Sequence, residues 1–158
     1  MNYKIVEITE GQLKGQYAHP ILGLLPEWFG IPEAVKEYVD TVPDYPFWAA
    51  FDREECIGFI SLKTHFNKTG EIYVCGVVPG FQHKGVGKAL IYEVEKYCQK
   101  ANCDYIIVKT LSASVNYEPY ERTRQFYRSV GFIELVTLTE MWDEENPCLI
   151  MLKDLKGR

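Results

Sequence analysis

The sequence predicts an α/β fold of the α+β kind, a mixed and mostly antiparallel central sheet of about seven strands flanked by about four helices. Three observations predict it. Runs rich in aromatic and β-branched residues are separated by turn-like tetrapeptides. Amphipathic helical segments alternate with apolar runs in the second half of the chain. A chain of 158 residues also has the length of one domain, residues 1–158, able to bury its own core.

Tyr3 to Thr9 (YKIVEIT) alternates apolar and polar residues, the period of a half-buried strand, and Gly11 closes it. From Leu13 to Asp40 the pattern is helical but broken, with Pro20, Pro26 and Pro32 confining each helix to a short piece. The second of two such helices, PEAVKEYVD, places proline in its first turn, where the missing N–H costs nothing. PFWAAF, CIGFISLKTHF and EIYVCGVV read as strands, and the short separators DREE and NKTG make neighbours antiparallel. A helix from Gly85 to Lys100 carries Leu90, Val94, Tyr97, Cys98 and Ala101 as one apolar stripe. DYIIVKTL reads as a strand covered on both faces. After the loop SASVNYEPY comes a helix through ERTRQFYRSV, which Gly131 ends in a left-handed conformation. Two last strands, FIELVTL and CLIMLKDL, flank the polar loop DEENP.

Hydrophobic content of 47% with 25% charged residues excludes disordered and fibrous classes. No apolar run approaches the roughly 20 residues of a membrane span, and the opening MNYKIVEITEG has acids where a signal peptide would be apolar, so no membrane association and a cytoplasmic location are expected. Five cysteines form an odd set without a CxxC pair, which favours reduced thiols over disulfides or zinc. A net charge of -5 argues against a nucleic-acid partner and suits a cationic small molecule.

The most informative stretch is PGFQHKGVGKAL, Pro79 to Leu90, between an apolar strand and an amphipathic helix. A dinucleotide fingerprint needs a third small residue where Leu90 stands, and a Walker loop needs lysine where Val86 stands. What remains is Gln82-x-x-Gly85-x-Gly87 at a helix start, where free N–H groups and the helix dipole bind phosphate and glycine permits close approach. Lys84 and Lys88 add positive charge. The other reading is a tight loop whose glycines supply unusual backbone angles. His83 reads as an exposed loop residue, and His19 and His65 have no carboxylate or cysteine at ligand spacing, so no metal is expected.

Together, QHKGVG and the later FYRSVGF (Phe126 to Phe132) resemble the GNAT superfamily of N-acetyltransferases, and the resemblance runs through essentially the whole element order. It implies acetyl-coenzyme A as co-substrate, its pyrophosphate on the N–H groups of Gln82, His83, Lys84, Gly85, Val86, Gly87 and Lys88. It implies a splay between the fourth and fifth strands that receives the pantetheine arm near Cys75, Gly76, Val77 and Val78, with an N–H around Val77 polarising the thioester carbonyl. The expected reaction is direct transfer of an acetyl group to a primary amine of a small molecule or peptide, through a ternary complex. A lysine-like amine, with a pKa of about 10.4, costs roughly 4 to 5 kcal/mol to deprotonate at pH 7. The resemblance puts Glu71 in the place of a general base, a water relay on backbone carbonyls being the alternative, and Tyr127 in that of the acid that protonates the leaving thiolate.

One departure is plain. Where the family often has asparagine and alanine, seven and four positions before the tyrosine, this chain has Tyr120 and Thr123; Asn116 in the lengthened loop is the candidate substitute at the coenzyme, its other reading being an ordinary turn asparagine. Acceptor-side candidates are Trp28, Phe29, Tyr117 and Trp142. Two alternatives stay open: a non-catalytic acetyl-coenzyme A sensor, and an enzyme acting on protein N-termini or lysines. Exposed sheet edges leave room for a homodimer.

Overall fold

The computed structural model describes residues 2–156. The chain forms β1 (Lys4–Glu7), α1 (Gly11–Gly23), α2 (Pro32–Thr41), a 3-10 turn (Val42–Asp44), β2 (Phe47–Asp52), β3 (Glu55–His65) and β4 (Thr69–Val77). A second 3-10 turn (Pro79–Phe81) leads to α3 (Val86–Lys100), β5 (Tyr105–Leu111), α4 (Glu118–Ser129), β6 (Ile133–Asp143) and β7 (Asn146–Asp154). The strand order is β1-β2-β3-β4-β5-β7-β6. β4 and β5 pair in parallel, while β1–β2, β2–β3, β5–β7 and β6–β7 are antiparallel. This is the mixed seven-stranded sheet with four helices that the sequence predicts.

By contact density the chain divides into two compact units, one made of the residues up to Lys63 with Tyr73–Lys96, the other of Thr64–Ile72 with the residues from Tyr97 onward. In the first, Ala18, Ile21, Leu22 and Leu25 close over Phe47, Ala49, Phe59 and Val74. The Phe47 and Phe59 rings stack with centroids 5.3 Å apart. α1 and α2 come so close that a Cβ on Gly15 would sit 3.2 Å from Val39. Lys14 is buried, and its ammonium donates to the Tyr45 carbonyl at 2.6 Å and the Pro43 carbonyl at 3.3 Å, pinning the 3-10 turn to α1.

Pro20 does not end a helix as expected; it lies inside α1. Both Pro20 and Gln16, whose carbonyl loses its intrahelical donor, are exposed, so water replaces the missing bond.

In the second unit β5 registers against β7 from Tyr105↔Asp154 to Leu111↔Cys148. Only one face of β5 is fully covered: Ile106, Val108 and Thr110 are buried, whereas Lys109 on the other face is exposed, which corrects the two-sided burial expected. Ala101 lies beyond the last turn of α3 and is exposed, so it is not part of the apolar stripe. α4 starts within the expected loop because Pro119 occupies its first turn. Gly131, at φ 101°, ends it as predicted. Behind α4, Arg124 is 2% exposed and donates to the Leu111 carbonyl at 2.6 Å and to Glu121 at 2.8 Å, fastening the helix to β5. None of the five cysteines forms a disulfide.

Candidate active site

The first unit carries the glycine loop. Val78 N–H donates to the Ile57 carbonyl at 2.9 Å. Because successive N–H groups of a strand point to opposite sides, the Val77 N–H points away from β3. The parallel register of β4 with β5 runs from Thr69↔Tyr105 to Ile72↔Val108 and stops there. Gly76 has a packing reason to be glycine, since a Cβ there would lie 2.8 Å from Leu25 Cδ1 and 3.3 Å from Ile21 Cγ2. Cys75, Gly76, Val77 and Val78 are all partly exposed.

The chain then turns through Pro79–Phe81, and the Gln82 side-chain amide reaches back to the Val77 carbonyl at 3.0 Å. His83 (φ 61°) and Gly85 (φ 86°) both take left-handed conformations, and Tyr3 Oη–H holds the Gly85 carbonyl at 3.0 Å. The next bond of the ladder is Ala89 N–H to the Gly85 carbonyl at 3.0 Å. From His83 through Lys88, no N–H donates to a carbonyl among the described residues. This is a row of helix-start donors without a carbonyl partner among the described residues. His83, Lys84 and Lys88 are exposed, and the two lysines form no ion pair among the described residues. Such a row, with two ammonium groups and glycines at the approach, fits a diphosphate.

The second unit carries Glu71 and Tyr127. Glu71 is 6% exposed. His65 Nε2–H donates to its Oε1 at 2.7 Å, and Lys109 Nζ stands 3.3 Å from its Oε2. The ligand-spacing test applied to the sequence did not see this pair, because Glu71 reaches His65 only through the fold. The hairpin was the signal: His65 ends β3, three turn residues follow, and Glu71 is the third residue of β4. Likewise Glu71↔Ile107 is in register, so Lys109 is the diagonal neighbour on β5. Burial pushes the Cys148 thiol up, with the Lys109 ammonium opposing and the Glu71 carboxylate adding to that shift. Tyr127 is 4% exposed, edge-on to Phe126 (5.3 Å) and Phe132 (5.4 Å).

The acceptor-side candidates divide by burial. Trp28 and Phe29 are half-buried against the first unit's core, and Phe29 meets Tyr38 edge-on at 5.8 Å. Tyr38 in turn meets Tyr73, over which Lys63 Nζ sits 4.4 Å from the ring centroid. Burial, followed by Tyr73, raises the Tyr38 phenol. The periodicity of single strands does not reveal this aromatic cluster. Tyr117 caps α4 and is exposed, as are Asn116 in the loop before it and Trp142 on β6. An open cleft of about 730 Å³ between α1 and α2, lined by Gln16, His19, Phe29 and Lys36 among others, includes none of the residues expected to hold the coenzyme. No group of three or more His, Cys, Asp or Glu is arranged to hold a metal among the described residues. No described helix is long and apolar enough to cross a membrane.

The family model described as Acetyltransferase (GNAT) family matches residues 13–132. The chain is 51% identical over 45 residues to a mycothiol acetyltransferase of Streptomyces scabiei (strain 87.22), covering 28% of this chain and 15% of that protein. With a mycothiol acetyltransferase of Renibacterium salmoninarum it shares 33% identity over 91 residues, 53% of this chain and 25% of that protein. The chain thus aligns with a quarter or less of these curated relatives. Among solved structures, an aminoglycoside 6'-N-acetyltransferase complexed with coenzyme A superposes with a TM-score of 0.78 at 20% identity, over 98% of each chain, a likeness of fold.

Proposed function

The chain belongs to the acetyltransferase (GNAT) family, and from that premise we propose that it moves an acetyl group from acetyl-coenzyme A to a primary amine of a small molecule or peptide, as one domain of 158 residues. The observation that carries this reading is the row of unbonded N–H groups from His83 to Lys88. Diphosphate is the part of coenzyme A such a row suits. Tyr3, Gln82 and the left-handed Gly85 hold the loop open before any ligand arrives, which lowers the ordering cost of binding. The outward Val77 N–H is the donor offered to the thioester carbonyl, where it stabilises the oxyanion as it forms. Cys75, Gly76 and Val78 line the same strand end, and Asn116 is the side chain offered to the coenzyme from the loop after β5.

Acetyl transfer makes a C–N bond and breaks a C–S bond. An ammonium acceptor gives up one proton before attack, and the nitrogen of the adduct gives up a second as the thiolate takes one. Tyr127 is the donor proposed for the thiolate, and Glu71 is the base proposed for the first proton, directly or through a water. Trp28, Phe29, Tyr117 and Trp142 are the aromatic surfaces proposed for the acceptor, and the net charge of -5 favours a cationic one. Five cysteines outside any disulfide suit a reducing, cytoplasmic setting.

The test is thiol release from acetyl-coenzyme A across a panel of amines, with mass spectrometry for the gain of one acetyl group. Release with a small amine or peptide supports the reading. Calorimetric binding of the coenzyme with no release on any amine or peptide would replace it with a sensor, and release confined to folded protein acceptors would move the acceptor to an N-terminus or lysine.

A further inference from the structure

The Lys63 ammonium lies over two tyrosine rings, 4.4 Å from the centroid of Tyr73 and 5.4 Å from that of Tyr45. Among the described residues it makes no ion pair and no hydrogen bond. Ring faces hold a cation in place without using its N–H groups, so its three donors remain unspent. The hydroxyls of Tyr38 and Tyr45 likewise bond nothing among the described residues, although a phenol taken partly out of water ordinarily finds a partner. Tyr38, Tyr45, Lys63 and Tyr73 are each partly exposed, so a solute can reach them. All four lie in the first unit, as does the Val77 N–H assigned to the thioester. Tyr38 meets Tyr73 edge-on at 5.3 Å and Phe29 at 5.8 Å. Its phenol is raised by burial first, then by Tyr73, Glu37 and Cys75. The aromatic surface therefore runs along β4 from Tyr73 toward Cys75, two residues short of Val77, and Glu37 beside it does not bond Lys63.

We propose that Lys63 binds a carboxylate of the acceptor, and that the acceptor is a short peptide whose free C-terminus rests on Lys63 while its N-terminal amine meets the thioester at Val77. The proposal rests on the acetyl-transfer reading above and chooses between the small molecule and the peptide left open there. An ammonium only donates, so the group it selects is one that only accepts, and the ionised end of a peptide is such a group. Four strand residues separate Tyr73 from Val77, about 13 Å. An extended peptide spans at most about 3.3 to 3.6 Å per residue, so roughly three or four residues bridge that distance. The tyrosine faces between the two ends suit the apolar side chains of such a peptide, and the Tyr38 and Tyr45 hydroxyls are further donors along the same surface. The net charge of -5 acts on the cationic end of this zwitterion, and Lys63 on the anionic end.

The experiment uses the full chain with acetyl-coenzyme A and the peptide alanyl-phenylalanyl-alanyl-alanine, once as the free acid and once as the C-terminal amide, beside kanamycin, spermidine and tyramine. The acid should show a kcat/KM about tenfold above that of the amide, with the difference in KM, as expected of an interaction made equally before and during the reaction. Lys63→Met keeps the stem and removes the charge, and should bring the acid down to the level of the amide. Lys63→Arg should keep most of the preference. A merely structural role would slow both peptides alike and leave their ratio standing. The wild-type comparison decides even where a variant does not fold. Equal kcat/KM for acid and amide in the wild type, or a preference for the acid that survives Lys63→Met, overturns the assignment. Thiol release on kanamycin, spermidine or tyramine with none on the peptide overturns it too, and leaves acetyl transfer intact. No thiol release on any of these acceptors overturns the transfer reading, and this role with it.

Discussion

The side-chain amide of Gln82 donates to the carbonyl of Val77 at 3.0 Å. In an extended strand the N–H and C=O of one residue point to the same side. Gln82 therefore satisfies the outward acceptor of Val77 and leaves the outward donor open. One side chain both seals the end of β4 and fixes the start of the loop whose N–H groups stand unbonded.

Gln82→Ala removes that tie while leaving the core untouched. A hydrogen bond of this kind contributes about 0.5 to 1.5 kcal/mol, so coenzyme A should bind roughly two- to tenfold more weakly by calorimetry. Equal affinity would show that the loop is held by its backbone alone.

Gly87→Glu tests the phosphate site more directly. A carboxylate in the first turn of α3 favours the helix dipole, so thermal stability should hold or rise. The same charge repels phosphate, and the coenzyme dissociation constant should increase by about tenfold or more, equivalent to about 1.4 kcal/mol. Normal binding would place the diphosphate elsewhere.

Tyr127→Phe keeps the ring contacts with Phe126 and Phe132 and deletes the hydroxyl. Turnover should fall on the order of 10²-fold with coenzyme affinity nearly intact. If single-turnover acetyl transfer proceeds at the wild-type rate, the phenol has no part in the reaction.

Gly76→Ala should destabilise the fold, because the added Cβ meets Leu25 at 2.8 Å and Leu25 is itself buried. Overpacking of this kind costs about 1 to 3 kcal/mol. A thermal scan should show a melting temperature lower by roughly 2 to 4 °C per kcal/mol; an unshifted melt would mean α1 yields at that point.

Burial pushes the Cys56 thiol up to about 11 from its ordinary 9.0, only partly offset by a hydrogen bond with the Gly58 backbone. The folded chain thus holds a proton that the unfolded chain releases. Its contribution to stability is whole below pH 9 and is lost as pH rises toward about 11. The raised Cys148 thiol and Tyr38 phenol act in the same direction. Urea midpoints should fall across this window, and less steeply for Cys56→Ala. A wild-type midpoint constant from pH 9 to 11 would contradict the burial argument.

Local pattern carried much of this protein. Alternation in YKIVEIT and apolar or β-branched runs elsewhere located the strands, the stripe through Leu90, Val94 and Cys98 located α3, and Gly131 marked the end of α4, because each depends on a residue and its near neighbours. QHKGVG announced a donor-rich helix start for the same reason. Where local rules failed, solvent or a neighbour outweighed them: exposure let Pro20 stay inside α1, and Pro119 began α4 earlier than expected. The cluster of His65, Glu71 and Lys109 lay beyond such reading. It joins three strands whose residues become neighbours through pairing register, and register is set by long-range packing that no single segment contains. Folding likewise set the burial of Glu71, which turns an ordinary strand-end carboxylate into one locked between two basic groups.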